Sequence, residues 1–365
     1  MGKIYFRADA GPEIGMGHVM RCLSIADASK RAGHSVTFVL ASERAADIIR
    51  SRGYDTVILA TDYKDTENEL PAWNKNEASS IDCLFVDSYF VTDKYLKSLK
   101  EMIGSGKLIY IDDLAAFAYP SDILINYNAY GPDLDYRGLY EKSCTALPKL
   151  ILGAEYAPLR EMFRGVPRKK QPERAENILI STGGSDELHL TLKLIRHLSE
   201  KHEEQSRNYH FLLGAMNEDR AGIKKLAGNI RYITLHENVS DMRELIESMD
   251  MAVSAAGSTM YEICACGVPI VTCILADNQI PGAEAFERLG LAVNAGDLRK
   301  PGTTDPKAVI SGDLREDAAV RIMQAVDDLD KSYKARVAMG QKMQDMIDGC
   351  GADRIIKEVE YVSSV

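Results

Sequence analysis

The sequence predicts two doubly wound α/β domains in tandem, each a parallel sheet with helices on both faces, and three observations carry that prediction. Its 365 residues exceed what one hydrophobic core usually serves. Short apolar, β-branched runs alternate along most of the chain with longer amphipathic segments, the order from which parallel sheets are built. The alternation is interrupted at Arg164-Gly165-Val166-Pro167-Arg168-Lys169-Lys170-Gln171-Pro172. Two prolines, a glycine and a basic cluster without apolar periodicity read there as a linker, and the cluster itself as a solvated hinge.

Taken in order, residues 3–7, 35–40, 56–59, 83–86, 107–111 and 123–125 read as buried strands of the first domain. Residues 61–80 are polar and read as an excursion from it. A second series follows at 177–181, 210–213, 230–234, 251–254, 270–274 and 292–294, and 317–361 reads as a helical tail with charged faces. The expected domains are 1–163 and 175–335, joined by a linker at 164–174, with a C-terminal helix at 336–365 packing back towards the first domain. Two such domains would face each other across a cleft, and ligands of such sheets bind beyond the carboxyl ends of the strands.

A net charge of −10 argues against a nucleic-acid surface, which draws on an excess of Lys and Arg. The seven cysteines are scattered without a CxxC pair, so neither a disulfide framework nor a zinc site is expected. No signal-peptide pattern precedes the first strand, Phe6 stands where a myristoylation signal wants Ser or Thr, and no apolar run suffices to cross a bilayer. A cytoplasmic protein without stable membrane insertion, metal or cofactor is the expectation.

The first strand runs into Asp9-Ala10-Gly11-Pro12-Glu13-Ile14-Gly15-Met16-Gly17-His18. Gly15 and Gly17 suggest a turn that lets backbone pass close to a ligand. As a dinucleotide fingerprint the segment fails, because Met20 takes the place of the third small residue and no acid follows the second strand. His18, with Arg21 one turn on, stands at the mouth of a strand–loop–helix junction, where an imidazole serves equally as general base or as structural group. Asp87, Tyr89, Asp112 and Asp113 end other strands and are candidate lining residues; adjacent aspartates on an extended segment point apart, which disfavours one shared ion. His189, His197 and His202 share a helical segment without HExxH spacing and, with His34, read as structural.

In the second domain Thr182-Gly183-Gly184-Ser185-Asp186 ends a strand and opens a helix, which suits a phosphate at a helix N-terminus and equally a capped tight turn. Ala256-Gly257-Ser258-Thr259-Met260-Tyr261-Glu262 repeats the arrangement. Ser258 and Thr259 offer hydroxyl donors. Glu262 could hold a vicinal diol such as ribose, or close a capping box with Thr259. Two small-residue helix starts, the second followed by an acid, point to a nucleotide diphosphate, and the absence of GxxxxGK[ST] excludes a P-loop hydrolase. Asn278 and Gln279, at another strand end, would point towards the same cleft.

Phe6-Arg7-Ala8-Asp9, with Ile14-Gly15-Met16-Gly17-His18-Val19-Met20-Arg21-Cys22, resembles the opening signature of the PseG family. These are UDP-2,4-diacetamido-2,4,6-trideoxy-β-L-altropyranose hydrolases of pseudaminic acid biosynthesis, related to the spore-coat polysaccharide proteins called SpsG. The likeness continues through Asp87-Ser88-Tyr89, Ile111-Asp112-Asp113, Tyr156-x-Pro158-Leu159-Arg160, Gly183-Gly184-Ser185-Asp186, Asn238-Val239 with Met242, Gly257-Ser258-Thr259-x-Tyr261-Glu262 and Asp277-Asn278-Gln279. The glycine-rich elements recur in wider relatives such as the glycosyltransferase MurG.

The resemblance implies a GT-B fold, two Rossmann-like domains with a UDP-sugar between them, and no metal. It implies water attack at C1 of an amino or deoxy sugar with inversion, releasing UDP and free sugar for nonulosonic acid or surface polysaccharide biosynthesis, in association with other enzymes of that pathway. By the resemblance His18 is the catalytic base, and Tyr89 and Asn278 position water or sugar. Gly15, Gly17, Arg21, Asp87, Asp113, Arg160 and Gln279 would bind substrate. Gly183, Gly184, Ser185, Gly257, Ser258 and Thr259 would meet the diphosphate, Glu262 the ribose, and Val239 and Met242 the uracil. A glycosyltransferase of the same fold, with a hydroxyl acceptor replacing water, is the alternative. The chain departs from small family members at 61–80 and beyond 317.

Overall fold

The computed structural model describes residues 2–11, 14–200, 207–214, 216–300 and 316–363; His202 lies outside them. They divide into two compact units, residues 1–161 with 349–365, and residues 162–348.

Unit 1 is built on seven parallel strands: β1 (Lys3–Ala8), β2 (Ser35–Leu40), β3 (Asp55–Ile58), β4 (Cys83–Asp87), β5 (Lys107–Ile111), β6 (Ile123–Asn126) and β7 (Lys149–Leu152), in the order β3-β2-β1-β4-β5-β6-β7. Both faces are covered, so central strands such as β4 are apolar along their whole length. Successive side chains enter different cores. Phe6 stacks between Phe38 and Phe85, at 5.1 and 4.7 Å between ring centres, while its neighbour Tyr5 joins Leu84, Val86 and Leu99 on the opposite face. The Phe6 core is closed by α1 (Gly17–Arg31) and by Ile355, Ile356 and Val359 of the terminal helix Gly351–Ser363.

Strand β7 was not foreseen. Its four residues, Lys-Leu-Ile-Leu behind Pro148, form a half-exposed edge strand too short to leave a period. The tail, read as one helical stretch, is three helices, Glu316–Lys331, Tyr333–Met346 and Gly351–Ser363. Ser332 caps the second through the Ala335 amide, and the division between units falls just before the third. Thus Tyr333–Met346 belongs to unit 2, as do residues 164–174.

The basic segment read as a solvated hinge is tied down within unit 2. The Lys169 amide donates to Gln344 Oε1 at 3.0 Å, and buried Arg336 donates to the Pro172 and Glu173 carbonyls at 2.9 and 2.6 Å. Lys169 Nζ also donates to the Glu247 carbonyl at 2.7 Å, while Arg168 and Lys170 stay exposed, a mixture that composition alone does not reveal.

Unit 2 carries β8 (Asn177–Ser181), β9 (Asn208–Leu212), β10 (Ile233–His236), β11 (Met251–Ala255), β12 (Ile270–Ile274) and β13 (Val293–Asp297), again all parallel, in the order β10-β9-β8-β11-β12-β13. In both sheets the strand order reverses beside the first strand, between β1 and β4 and between β8 and β11. Connections leaving those pairs diverge, opening a crevice at the strands' carboxyl ends.

Candidate functional site

In unit 1 the crevice is lined by the loops following β1, β4, β5 and β6. Gly11 and Gly15 bridge each other through N–H···O bonds of 3.2 and 2.8 Å, and Gly15 has φ +61°, a conformation a β-carbon would strain. That turn delivers Gly17 as the first residue of α1 and His18 as the second; Gly17 is exposed, and Met16 makes no side-chain cap.

His18 is buried, and its Nδ1 lies 2.5 Å from Asp87 Oδ1 at the end of β4. Asp87 also accepts from Arg21 Nε at 2.6 Å and Arg21 Nη2 at 2.5 Å. Burial alone would raise the Asp87 carboxyl. The Arg21 guanidinium, and after it His18, outweigh burial and hold it well below the usual carboxylate range. A proton on Nδ1 suits an ionised Asp87 and leaves Nε2 as the acceptor nitrogen, although Arg21 Nη2 also lies 3.2 Å from Nδ1; no described residue hydrogen-bonds Nε2.

Arg21 is shared. Its Nη1 donates to both Asp113 oxygens at 2.9 and 3.0 Å and to Tyr127 Oη at 3.2 Å. Asp113 in turn accepts from Tyr89 Oη at 3.0 Å and Asn128 Nδ2 at 2.8 Å. The Tyr89 ring stands edge-on to His18, 4.5 Å between centres, with nearly half of its surface exposed. Burial, then Asp113, push the Tyr89 hydroxyl far above its ordinary value, so it remains a donor. Arg21 thus lies as one cation between the Asp87 and Asp113 carboxylates.

Two of the expected lining residues are buried. Asp87, expected among the substrate-binding residues, is 1% exposed and hydrogen-bonds both His18 and Arg21. Asp112, expected as a lining group, is also buried: it caps its own loop by accepting from the Leu114 and Ala115 amides at 3.0 and 2.8 Å and from Tyr136 Oη at 2.6 Å. Arg160 lies partly buried beside the end of the first stretch of unit 1. Tyr127, Asn128 and Tyr130, whose hydroxyl reaches the Asp113 carbonyl at 3.2 Å, were not foreseen. They follow β6 in a loop whose spacing carries no signal, and only the adjacency of β5 and β6 brings them in.

In unit 2 the loops after β8 and β11 are neighbours, because Ser181 and Ser254 pair in register. Gly183 has φ +93°, and the Gly183–Gly184 carbonyls lie so close to Gly214 that a β-carbon there would fall within 2.5 Å of both. Asp186 is buried and accepts from the Leu190 and Thr191 amides at 2.9 and 3.0 Å. It therefore occupies the first turn of helix Leu190–Glu200, and an anion at this loop would use the backbone of 183–185 instead. Ser185 remains half-buried beside it.

The second loop is different. Ser258, and not Thr259, is the N-cap of helix Thr259–Ala265, and its side chain makes no cap bond. Gly257 and Ser258 are exposed, and a β-carbon on Gly257 would meet no atom within 4 Å. Glu262 is half-buried one turn inside the helix. Asn278 is exposed, whereas Gln279 closes its own turn, its Oε1 accepting from the Leu275 amide at 2.8 Å. Met242 is buried at the start of helix Met242–Glu247, Asn238 before it has φ +50°, and Val239 is half-buried. Among the described residues no cluster of three His, Cys, Asp or Glu could hold a metal ion, and no helix is long and apolar enough to cross a membrane.

Residues 178–301 match the glycosyltransferase family 28 C-terminal domain. Along the chain there is similarity to the spore coat polysaccharide biosynthesis protein SpsG of Bacillus subtilis, 23% identical over 95% of each chain. The UDP-2,4-diacetamido-2,4,6-trideoxy-beta-L-altropyranose hydrolase of Campylobacter jejuni is 26% identical over 70% of this chain and 85% of its own. An uncharacterised protein of Methanocaldococcus jannaschii is 26% identical over 76% of this chain, which spans 56% of that relative's length. Among solved structures, Acinetobacter baumannii MurG superposes with a TM-score of 0.65 at 13% identity, covering 98% of this chain and 99% of its own. The fold is that of the GT-B enzymes, two Rossmann-like domains with parallel sheets.

Proposed function

We propose that this protein hydrolyses a UDP-linked amino or deoxy sugar, with water attacking C1 to give inversion, UDP and free sugar, in nonulosonic acid or surface polysaccharide biosynthesis. The observation that carries the reading is His18, held at Nδ1 by a buried Asp87 whose carboxyl is kept ionised, with no described residue hydrogen-bonding Nε2. Water is a poor nucleophile, and a fixed base gives it direction. UDP leaves readily once donors compensate its growing charge, so a strong general acid is dispensable. In this division of labour the loops of unit 2 at Gly183–Ser185 and Gly257–Thr259 take the diphosphate, Glu262 the ribose and the Asn238–Met242 turn the base. Tyr89 and Asn278 position water or sugar. Gly15, Gly17, Arg21, Asp113, Arg160 and Gln279 complete the substrate surroundings. The named hydrolase among the relatives supports this reading.

The family 28 match favours a second reading, transfer to a hydroxyl acceptor activated by the same imidazole. The two separate in one assay. Purified protein given a UDP-diacetamido sugar and no acceptor releases reducing sugar and UDP in equal amounts if it is a hydrolase. Absence of release, restored by an added acceptor, supports transfer.

The diphosphate assignment makes its own prediction. Because the space beyond Gly257 is open, Gly257→Asp should fold normally while placing a carboxylate where the phosphates are proposed to lie. UDP affinity by calorimetry should fall by about 10- to 100-fold, the scale of one or two charge-assisted hydrogen bonds. Unchanged affinity removes this loop from the phosphate site.

A further inference from the structure

The polar excursion at 61–80 touches both loops that present the candidate base and its aromatic neighbour. Arg7, at the end of β1, is 1% exposed beneath the glycine loop, a buried charge that needs compensation. Its partner comes from the excursion: Glu69, itself 0% exposed, accepts from Arg7 Nε at 2.8 Å and Nη2 at 2.5 Å, and also from Tyr95 Oη and from Trp73 Nε1 at 3.4 Å. The third Arg7 nitrogen bonds Asp9, the first residue of the glycine loop, whose other oxygen accepts from the Ala41 amide at 2.9 Å.

A few residues earlier, Tyr63 covers the same loop. A β-carbon on Gly11 would lie 2.7 Å from its hydroxyl, so this glycine is where the excursion and the loop make their close approach. The Tyr63 ring also stands against Phe90, 5.5 Å between centres, and Thr66 Oγ1 donates to the Phe90 carbonyl at 2.9 Å. Glu67 accepts from Thr92 Oγ1 at 2.8 Å and Lys94 Nζ at 2.7 Å. Phe90 directly follows Tyr89. The far end is fastened to β1, where Tyr5 Oη donates to Glu77 at 2.9 Å.

We infer that the excursion is a positioning element: Glu69 through Arg7 and Asp9, and Tyr63 through Gly11 and Phe90, hold the β1 and β4 loops so that His18 Nε2 and Tyr89 keep one geometry. Among the described residues no hydrogen bond links it directly to His18, Asp87 or Asp113, so its influence is on aim. A displacement of about 1 Å in a reacting group costs up to about 100-fold in rate.

The step it would affect rests on the hydrolase reading, so the test reads the imidazole separately from turnover. Tyr63→Ala should lower kcat for acceptor-free hydrolysis by about 10- to 100-fold, leave UDP affinity within about twofold and the melting temperature nearly unchanged. In ¹⁵N-histidine spectra, with His18 assigned by its absence in His18→Asn, its signals should shift or split from the single Nδ1-protonated form of the parent. Gly11→Ala should do the same by pushing against Tyr63, and the double variant Gly11→Ala/Tyr63→Ala should be no worse than either single one, because the clash is gone. Glu69→Gln gives the same readout from the buried side, and if it does not fold the Tyr63 and Gly11 variants carry the test. If the parent releases no sugar, the hydrolase reading fails and the His18 spectra alone decide the inference. An unchanged His18 spectrum in Tyr63→Ala and Gly11→Ala, with any turnover within twofold of the parent, overturns it.

Discussion

His18→Asn should lower turnover of a UDP-sugar by about 10²- to 10⁴-fold, equivalent to about 3–5 kcal/mol of lost transition-state stabilisation. The amide can still face Asp87 but has no basic nitrogen to accept a proton from water. UDP affinity should stay within about twofold, because the groups proposed to bind UDP lie in the other unit. That pairing of outcomes separates a base from a fold-stabilising histidine: loss of the His18–Asp87 contact alone would show as a lower melting temperature with a modest rate effect. A variant that keeps full hydrolysis removes the base from the account.

Asp87→Asn should be nearly as damaging, lowering kcat by roughly 100-fold or more, for two reasons. The amide can donate to Nδ1 and turn the imidazole to the tautomer whose Nε2 is protonated, and it removes the charge that would balance an imidazolium. The same variant has a signature in stability. The native Asp87 carboxyl is held far below its unfolded value, so its contribution is fully present above about pH 4 and is lost as the pH falls from there towards the native value. Asp87→Asn should therefore be less stable than the parent near neutrality, and its melting temperature should decline less steeply below about pH 4. Parallel curves for the two proteins across that range would show that Asp87 is not strongly depressed in the native state.

The sheets were legible because buried parallel strands are apolar on both faces and bounded by turns. Twelve of the thirteen strands in the described residues announce themselves in this way, and β7 does not, since four residues at an edge leave no pattern. His18 and Arg21 could be named as site candidates from the junction where a helix opens after the first strand, and Tyr89 and Asp113 from strand ends, and the structure brings these four together around Asp87. What sequence could not supply was depth. Asp87 and Asp112 look like Asp113 on paper, but burial makes the first a support for the imidazole and the second a cap for its own loop. Glu69 is the same case in a segment that reads as a polar excursion, since one buried carboxylate changes no compositional average. In unit 2 the ambiguity between capping and ligand binding was a real property of the residues. The structure shows Asp186 spent on its helix and Ser258 making no side-chain cap bond.

The central claim, water directed at the anomeric carbon, is tested most directly by running the acceptor-free reaction in ¹⁸O-labelled water and locating the isotope by mass spectrometry. The account predicts one ¹⁸O in the released sugar, none in UDP, and a first-formed anomer inverted relative to the substrate. Isotope in the UDP, which marks attack at phosphorus, or retention at C1 would contradict it.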